Sequence, residues 1–354
     1  MVIRKKIILL ILAVMPFGVL TKMILGWHAL DILLVALLFF GFFLPKWARG
    51  LIVVSWFSLL ASGNFGGGLY WVRLVAVLNL AGVISYLVKK KRLKREVILE
   101  SLLVVGVIIL ALGVVQYLIW PDLRAIKAWG WDDHYYRLVG TFLDPGFTGI
   151  IIVLAILMAF VKKRYVWAVA LLVGLALTYS RASYLALGAG MGYLFFVGKQ
   201  RIWAVGFMIV LISMIPILPR PGGEGVKLTR TASIAQRVEN YSEAWQIIKT
   251  SPLLGVGFNN LCVAKEALGM SVGVNSCGGL DNSLMFVWAT MGILGLIIYL
   301  GMGFRVWQGS GLLVRASMIA VLTHSMFHNT LFYLWVVVWM AVLIGVDFTE
   351  SKLQ

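Results

Sequence analysis

Apolar residues run through this chain in long blocks, interrupted by pairs or clusters of Lys and Arg and by turn residues. A helix needs about 20 apolar residues to cross a bilayer core of about 30 Å, and blocks approaching that length recur from end to end. Read between the charge clusters, the pattern predicts twelve helices near 7–26, 29–44, 50–62, 69–88, 97–119, 146–161, 165–178, 183–198, 202–218, 282–303, 313–327 and 331–347. The fold class expected is all-α: a polytopic membrane helix bundle with a long outer loop that contains an amphipathic helix. Four parts follow: N-terminal transmembrane helices at 1–119, central helices with a first outer loop at 120–218, a large outer loop at 219–281, and C-terminal helices at 282–354.

Composition narrows the class. Of 354 residues 61% are hydrophobic and 13% charged, with mean hydropathy +0.96, which excludes a soluble or disordered chain. The net charge of +17 changes meaning once it is sorted by side. With Arg4, Lys5 and Lys6 inside, alternate loops place 19 basic residues inside and 12 outside, the latter with ten of the 14 acids. That is +15 inside against +2 outside, the asymmetry of the positive-inside rule, and it leaves no charge that needs a nucleic acid to explain it. Both termini are expected in the cytoplasm. The basic start lacks a small-x-small cleavage site, so the first helix reads as uncleaved.

Polar residues at the outer ends carry the candidate chemistry. Ile234, Val238, Tyr241, Trp245 and Ile248 recur at helical spacing, predicting a helix over 231–250 that Ser251 and Pro252 end. Arg230 and Arg237, seven residues apart, would share a face of it. Such a helix either lies on the membrane and holds two guanidinium groups over a lipid-linked headgroup, or packs on the bundle with both arginines solvated. Arg181 interrupts an apolar region at a tight outer turn, where it snorkels to phosphates or faces the bundle interior. Arg73, one turn into its span, is a weaker case of the same kind.

Asp281 opens the tenth span, where a carboxylate caps the helix, pairs with an arginine or acts as a general base. His324 and His328 share a face at metal-binding spacing, but no HExxH pattern accompanies them, so structural or substrate contact is the stronger expectation and no metal site is expected. Cys262 and Cys277 both fall outside, where a disulfide persists and would contribute about 3 kcal/mol. Two free thiols are the alternative.

Gly140 to Gly146, Leu177 to Ala182, Arg237 with Tyr241 to Trp245, Pro252 to Phe258, and Asp281 with Asn282 together resemble the O-antigen ligase and O-antigen polymerase family of bacterial envelope glycan assembly (the Wzy and WaaL type). Gly140-Thr-Phe-Leu-Asp144-Pro145-Gly146 is similar to its G-x-F-x-x-P stretch, and Leu177-Thr-Tyr-Ser-Arg181-Ala182 to its L-T-x-S-R-[GA] turn. Arg237, Tyr241 to Trp245, and Pro252-Leu-Leu-Gly255-Val-Gly257-Phe258 resemble its loop helix and P-x-x-G-x-G segment. Asp281 and Asn282 fall where the family has a polar pair opening a helix. The likeness covers roughly 140–301, with the pieces in the family's order.

The resemblance implies an enzyme of the inner (cytoplasmic) membrane that takes a glycan from undecaprenyl diphosphate on the outer face and joins it to an acceptor glycan. Arg181 and Arg237 would hold the diphosphate in place of a metal, with no cofactor, and Asp281 would take the acceptor proton. Arg230, Arg137, Arg73, Asp144, Tyr241, Asn282, His324 and His328 complete the expected substrate site. His324, His328 and Asp144 are alternative bases. Ligases of the family generally carry His where Asp281 stands, which tilts the reading from ligase to polymerase. Partners implied are the lipid-linked glycan, the acceptor glycan and the bilayer, with a flippase or chain-length regulator beside them. The rival class is a secondary transporter or flippase; the ionisable residues cluster at outer ends rather than the midplane such proteins use.

Overall fold

The computed structural model describes all residues except 1, 24–25, 130, 199–200, 220–221, 271, 273–278 and 349–354. Its helices are α1 (Val2–Val14), α2 (Ala29–Phe39), α3 (Arg49–Ala61), α4 (Gly68–Lys89), α5 (Arg95–Ile119), α6 (Pro145–Val161) and α7 (Tyr165–Leu177). They continue as α8 (Arg181–Val197), α9 (Arg201–Ile217), α10 (Ala232–Thr250), α11 (Leu261–Ala267), α12 (Ser283–Gly309), α13 (Leu312–His324) and α14 (Leu334–Asp347). The structure is 76% helix, with no strand among the described residues.

Helices occur at each of the twelve predicted positions. By length and composition α4, α5 and α12 can each cross a membrane, while α2, α6, α7, α9, α13 and α14 are apolar but shorter. Large apolar side chains such as Leu118, Ile202, Ile209 and Ile212 remain exposed along α5 and α9. In water such faces would drive aggregation; in lipid they are the solvent-facing surface of an integral membrane protein. The ion pairs Asp31–Arg73, Glu100–Lys162, Arg95–Asp347, Asp122–Arg124 and Glu243–Lys265 each join residues that the alternating map puts on one side.

Small residues set the tightest packing. On α8, Ala182, Ala186 and Gly190 stand four apart, and a Cβ on Gly190 would lie 3.3 Å from the Ala316 carbonyl of α13. A Cβ on Gly149 of α6 would lie 2.3 Å from Ser183 Oγ. Without a hydrophobic force between helices in lipid, close backbone approach of this kind is what associates them.

Two predicted spans are broken. The first, expected continuous over 7–26, ends as a helix at Val14 and passes into a 3-10 turn, Met15–Thr21. Pro16 and Gly18 cause this: Gly18 sits at φ 53°, where a Cβ would be 2.5 Å from the Thr141 carbonyl, and Thr141 Oγ1 donates to the Pro16 carbonyl at 2.6 Å. The break docks the chain's start on the Gly140–Phe142 turn. The tenth span, α12, is broken at Gly292 (φ 68°). There Val256 and Gly257 donate to the Ala289 and Thr290 carbonyls at 2.9 and 3.1 Å, and Ile293 donates to the Pro252 carbonyl at 2.9 Å. The 252–258 segment is therefore a strap pinned into the kink, and Ser58 of α3 donates to Leu254 and Thr290 carbonyls at 2.9 and 2.6 Å from the other side.

Gly292→Ala forces a Cβ to within 2.1 Å of the Leu253 carbonyl at a left-handed φ, so it is expected to cost at least ~1–3 kcal/mol in thermal unfolding. Gly301→Ala in the same helix, with open space around it, should be neutral or slightly stabilising.

Candidate active site

The site is built on the tight turn between α7 and α8. Tyr179 takes a left-handed φ of 50°, and Ser180 caps α8 by accepting from the Ser183 amide at 3.3 Å. This reversal turns the Thr178 and Tyr179 carbonyls outward from the helix end, and arginines collect on them. Arg137 donates from Nε to Thr178 at 3.0 Å and from Nη2 to Tyr179 at 3.4 Å. Arg230 donates from Nη2 to the same Tyr179 carbonyl at 3.2 Å, and from Nη1 to Gly225 and Lys227 at 2.9 Å each. Arg181, the first residue of α8, donates from Nη1 to the Leu228 and Arg230 carbonyls at 3.1 and 3.0 Å. A neutral carbonyl orients a guanidinium without cancelling its charge, unlike a carboxylate. Burial, with Arg230 nearby, lowers the Arg137 pKa to about 10, still charged at neutral pH.

Helix α10 brings the fourth arginine. Arg237, Tyr241, Ala244 and Ile248 stand at i, i+4, i+7 and i+11, and this is the face turned to the protein. Arg237 Nε donates to the Phe327 carbonyl at 3.3 Å, with its guanidinium carbon 5.7 Å from the Phe327 ring centre, and the Tyr241 hydroxyl donates to the Met326 carbonyl. Ala244, Ile247 and Ile248 are buried with Leu261, Leu280 and Phe286. Of the two alternatives for the apolar stripe, packing on the bundle does not describe most of it: Ile234, Val238 and Trp245 are exposed, and Tyr241 and Ile248 alone of the five turn inward. Nor do Arg230 and Arg237 share a helix face, because α10 begins at Ala232 and Arg230 lies in the turn before it. Arg237 and Arg181 are near enough for each to oppose the other's charge.

The helix-cap alternative for Asp281 fails. Asn282 caps α12, its Oδ1 accepting from the Leu284 and Met285 amides at 2.9 and 3.1 Å. Asp281 is held instead through its own amide, which donates to Asn240 Oδ1 of α10 at 2.8 Å, and its carboxylate has no hydrogen bond among the described residues. Burial raises the Asp281 pKa; Asp132 and Asp144 push in the same direction, and Arg237 and Lys265 oppose. Asp144 caps α6 through the Phe147 amide at 2.8 Å.

The histidines divide. His324, fully buried, uses both ring nitrogens, Nδ1 on Thr330 Oγ1 at 2.7 Å and Nε2 on Ser183 Oγ at 3.3 Å, so it ties α13 to α8. His328 stacks on it with ring centres 4.7 Å apart, and lies against Phe147 at 5.7 Å. Arg73 stands apart from the four arginines: it pairs with buried Asp31 through bonds of 2.6 and 2.8 Å, joining α4 to α2. Cys262 is disulfide-bonded, and Cys277 lies outside the described residues.

Sequence reasoning did not single out Asp132, His134, Asn240 or Ser183. Ligand atoms of Asp132, His134 and Asp144 lie within 4.8 Å of one another, a grouping able to hold a metal ion. The D-x-H spacing at 132–134 was the available signal, but Asp144 joins it only through folding. Beside the site a cavity of about 690 Å³, lined mainly by apolar side chains, extends past Arg73, Phe147 and Tyr333 to Tyr299, Leu78 and Trp307. Phe147 and Tyr333, stacked at 3.7 Å, wall this cavity, and Phe147 also touches His328.

The comparison with curated proteins gives no match. Among protein families, the model described as O-antigen ligase matches residues 166–300. That stretch runs from α7 into α12 and takes in the Thr178–Arg181 turn, all of α10, the 252–258 strap and the Asp281–Asn282 pair. Over this stretch, which is less than half of the chain, the protein is similar to the O-antigen ligase family.

Proposed function

We propose that the chain is a membrane glycosyltransferase that moves a glycan from undecaprenyl diphosphate to an acceptor glycan at the outer face of the cytoplasmic membrane, as a polysaccharide polymerase. The observation that carries this is the gathering of Arg137 and Arg230 on the Thr178–Tyr179 carbonyls, with Arg181 at the start of α8 beside them and Arg237 of α10 close enough to Arg181 to oppose its charge. Guanidinium groups so placed match phosphate oxygens bidentately and are already oriented. Ligase activity, transfer to a lipid or another acceptor, is the second reading, favoured by the description of the matching family.

In the reaction the bond between the anomeric carbon and the diphosphate oxygen breaks, and the leaving diphosphate keeps the electron pair. Arg181 and Arg237 stabilise that charge as it develops. The acceptor hydroxyl oxygen forms the new bond to the anomeric carbon, and its proton passes to the Asp281 carboxylate. The apolar cavity suits the isoprenoid part of the donor, with Phe147 and Tyr333 between it and the polar site. The exposed stripe of Ile234, Val238 and Trp245 suits a bilayer surface, which would set α10 as a cover over the headgroup.

Purified protein given a lipid-diphosphate oligosaccharide should yield a ladder of products on a gel; single transfer to another lipid would favour the ligase reading, and no transfer to any acceptor would contradict both. Arg181→Ala and Arg237→Ala should each lower sugar joining by about 10²–10³-fold, the scale of losing a transition-state charge donor, and Arg237→Lys should not restore it. As a base, Asp281 must be ionised, so kcat/KM should rise with pH through its pKa. Because burial, Asp132 and Asp144 raise that pKa against the pull of Arg237 and Lys265, with Tyr241 also near, the acidic limb should lie above the ordinary Asp value of about 3.9. Asp281→Asn should remove the limb and lower the rate by about 10²–10⁴-fold; an unchanged limb would assign the base elsewhere.

A further inference from the structure

Next to the arginines lies a group of side chains that takes no direct part in glycosyl transfer as described above. Asp132, His134 and Asp144 each offer a ligand atom, and these atoms lie within 4.8 Å of one another. Ligands 2.0–2.3 Å from a shared metal ion are separated by about 3–4.5 Å, so little adjustment is needed.

His134 supplies the second observation. Its side chain is 7% exposed, and its Nε2 is buried with no hydrogen-bond partner. An unsatisfied buried polar atom costs roughly 1–3 kcal/mol, and such atoms in a folded protein call for an explanation. The residue is fixed in place: its carbonyl accepts from the Leu123 amide at 2.8 Å, beside the bridge between Asp122 and Tyr135. Asp144 is fixed by capping α6, which uses Oδ1 for the Phe147 amide and leaves further lone pairs. Asp132 is exposed and gives the group an entry from solvent. Two nearby basic groups are bonded elsewhere: Arg137 to the Thr178 and Tyr179 carbonyls, and Lys127 to Asp133 at 3.6 Å.

We propose that Asp132, His134 and Asp144 form a divalent-cation site that ties the 120–145 loop to the N-terminus of α6 beside the arginine cluster. Two carboxylates and one imidazole suit Mn²⁺ or Zn²⁺ rather than Ca²⁺, which takes oxygen ligands alone, and water would complete the coordination from the exposed side. The ion would offset two neighbouring carboxylates and engage the one buried imidazole nitrogen without a partner there.

The test is a Mn²⁺ titration of the full chain in detergent after removal of bound metal by chelator, read by the electron paramagnetic resonance signal of free Mn²⁺. One site of micromolar affinity is expected, with a higher thermal unfolding midpoint when it is filled. Asp132→Asn and His134→Gln should each weaken binding at least tenfold and abolish the midpoint rise, while Asp133→Asn, adjacent but outside the group, should change affinity by less than about threefold. If His134→Gln fails to fold, the exposed Asp132→Asn still decides the matter. Absence of binding below millimolar Mn²⁺, equal affinity in Asp132→Asn, or an equal loss in Asp133→Asn would overturn the site. The readout is binding, so it stands or falls separately from sugar transfer.

Discussion

The bonds between arginine guanidinium groups and main-chain carbonyls, at the α7–α8 turn and in the segments packed beside it, are the constraint on which the site depends. Charge inside or beside a membrane is expensive unless polar partners surround it. Carbonyls meet that need while leaving the positive charge available, whereas carboxylates in the same places would neutralise it. The contrast lies within the molecule: Arg73, paired in two bonds with Asp31, joins two helices, while Arg137 and Arg237 are oriented by main-chain carbonyls.

The rest of the fold places those carbonyls and arginines together. The left-handed Tyr179 reverses the chain, and the small residues of α8 seat it against α13, whose C-terminal turn provides the Met326 and Phe327 carbonyls for α10. The kink at Gly292 holds the strap that follows α10, and Asn282 caps α12 so that the preceding carboxylate of Asp281 is not consumed. Each piece is ordinary local chemistry, a cap, a left-handed residue or a close glycine contact. Their product is a group of arginines near Asp281, whose carboxyl is held above its ordinary range by burial, at one end of the bundle.

Much of this was legible in the sequence because lipid imposes simple rules. Apolar blocks located the helices, and the turn at Arg181, the helix over 231–250 and Asp281 at the start of a span were visible in the pattern, while the pairing of Asp281 with Asn282 came from the family resemblance. Register on α10 was not visible. The stripe from Ile234 to Ile248 leaves open whether it lies on the membrane or packs on the bundle; Ile234, Val238 and Trp245 are exposed, and Arg237, Tyr241 and Ala244 choose the protein-facing side. The breaks at Gly18 and Gly292 were also hidden, since each is set by a distant carbonyl, of Thr141 and of Leu253, that no local pattern records. Asp132 and His134 acquire meaning only when Asp144 arrives through folding.

The central claim is that the arginine cluster grips a phosphorylated lipid. Equilibrium binding of undecaprenyl diphosphate and of undecaprenol, compared by native mass spectrometry on the purified protein and on a variant with Arg181 and Arg237 both changed to Gln, tests it most directly. The diphosphate should bind at least tenfold more tightly than the alcohol to the unaltered protein, and the preference should vanish in the variant while alcohol binding persists. An undiminished preference after both charges are removed would contradict the account.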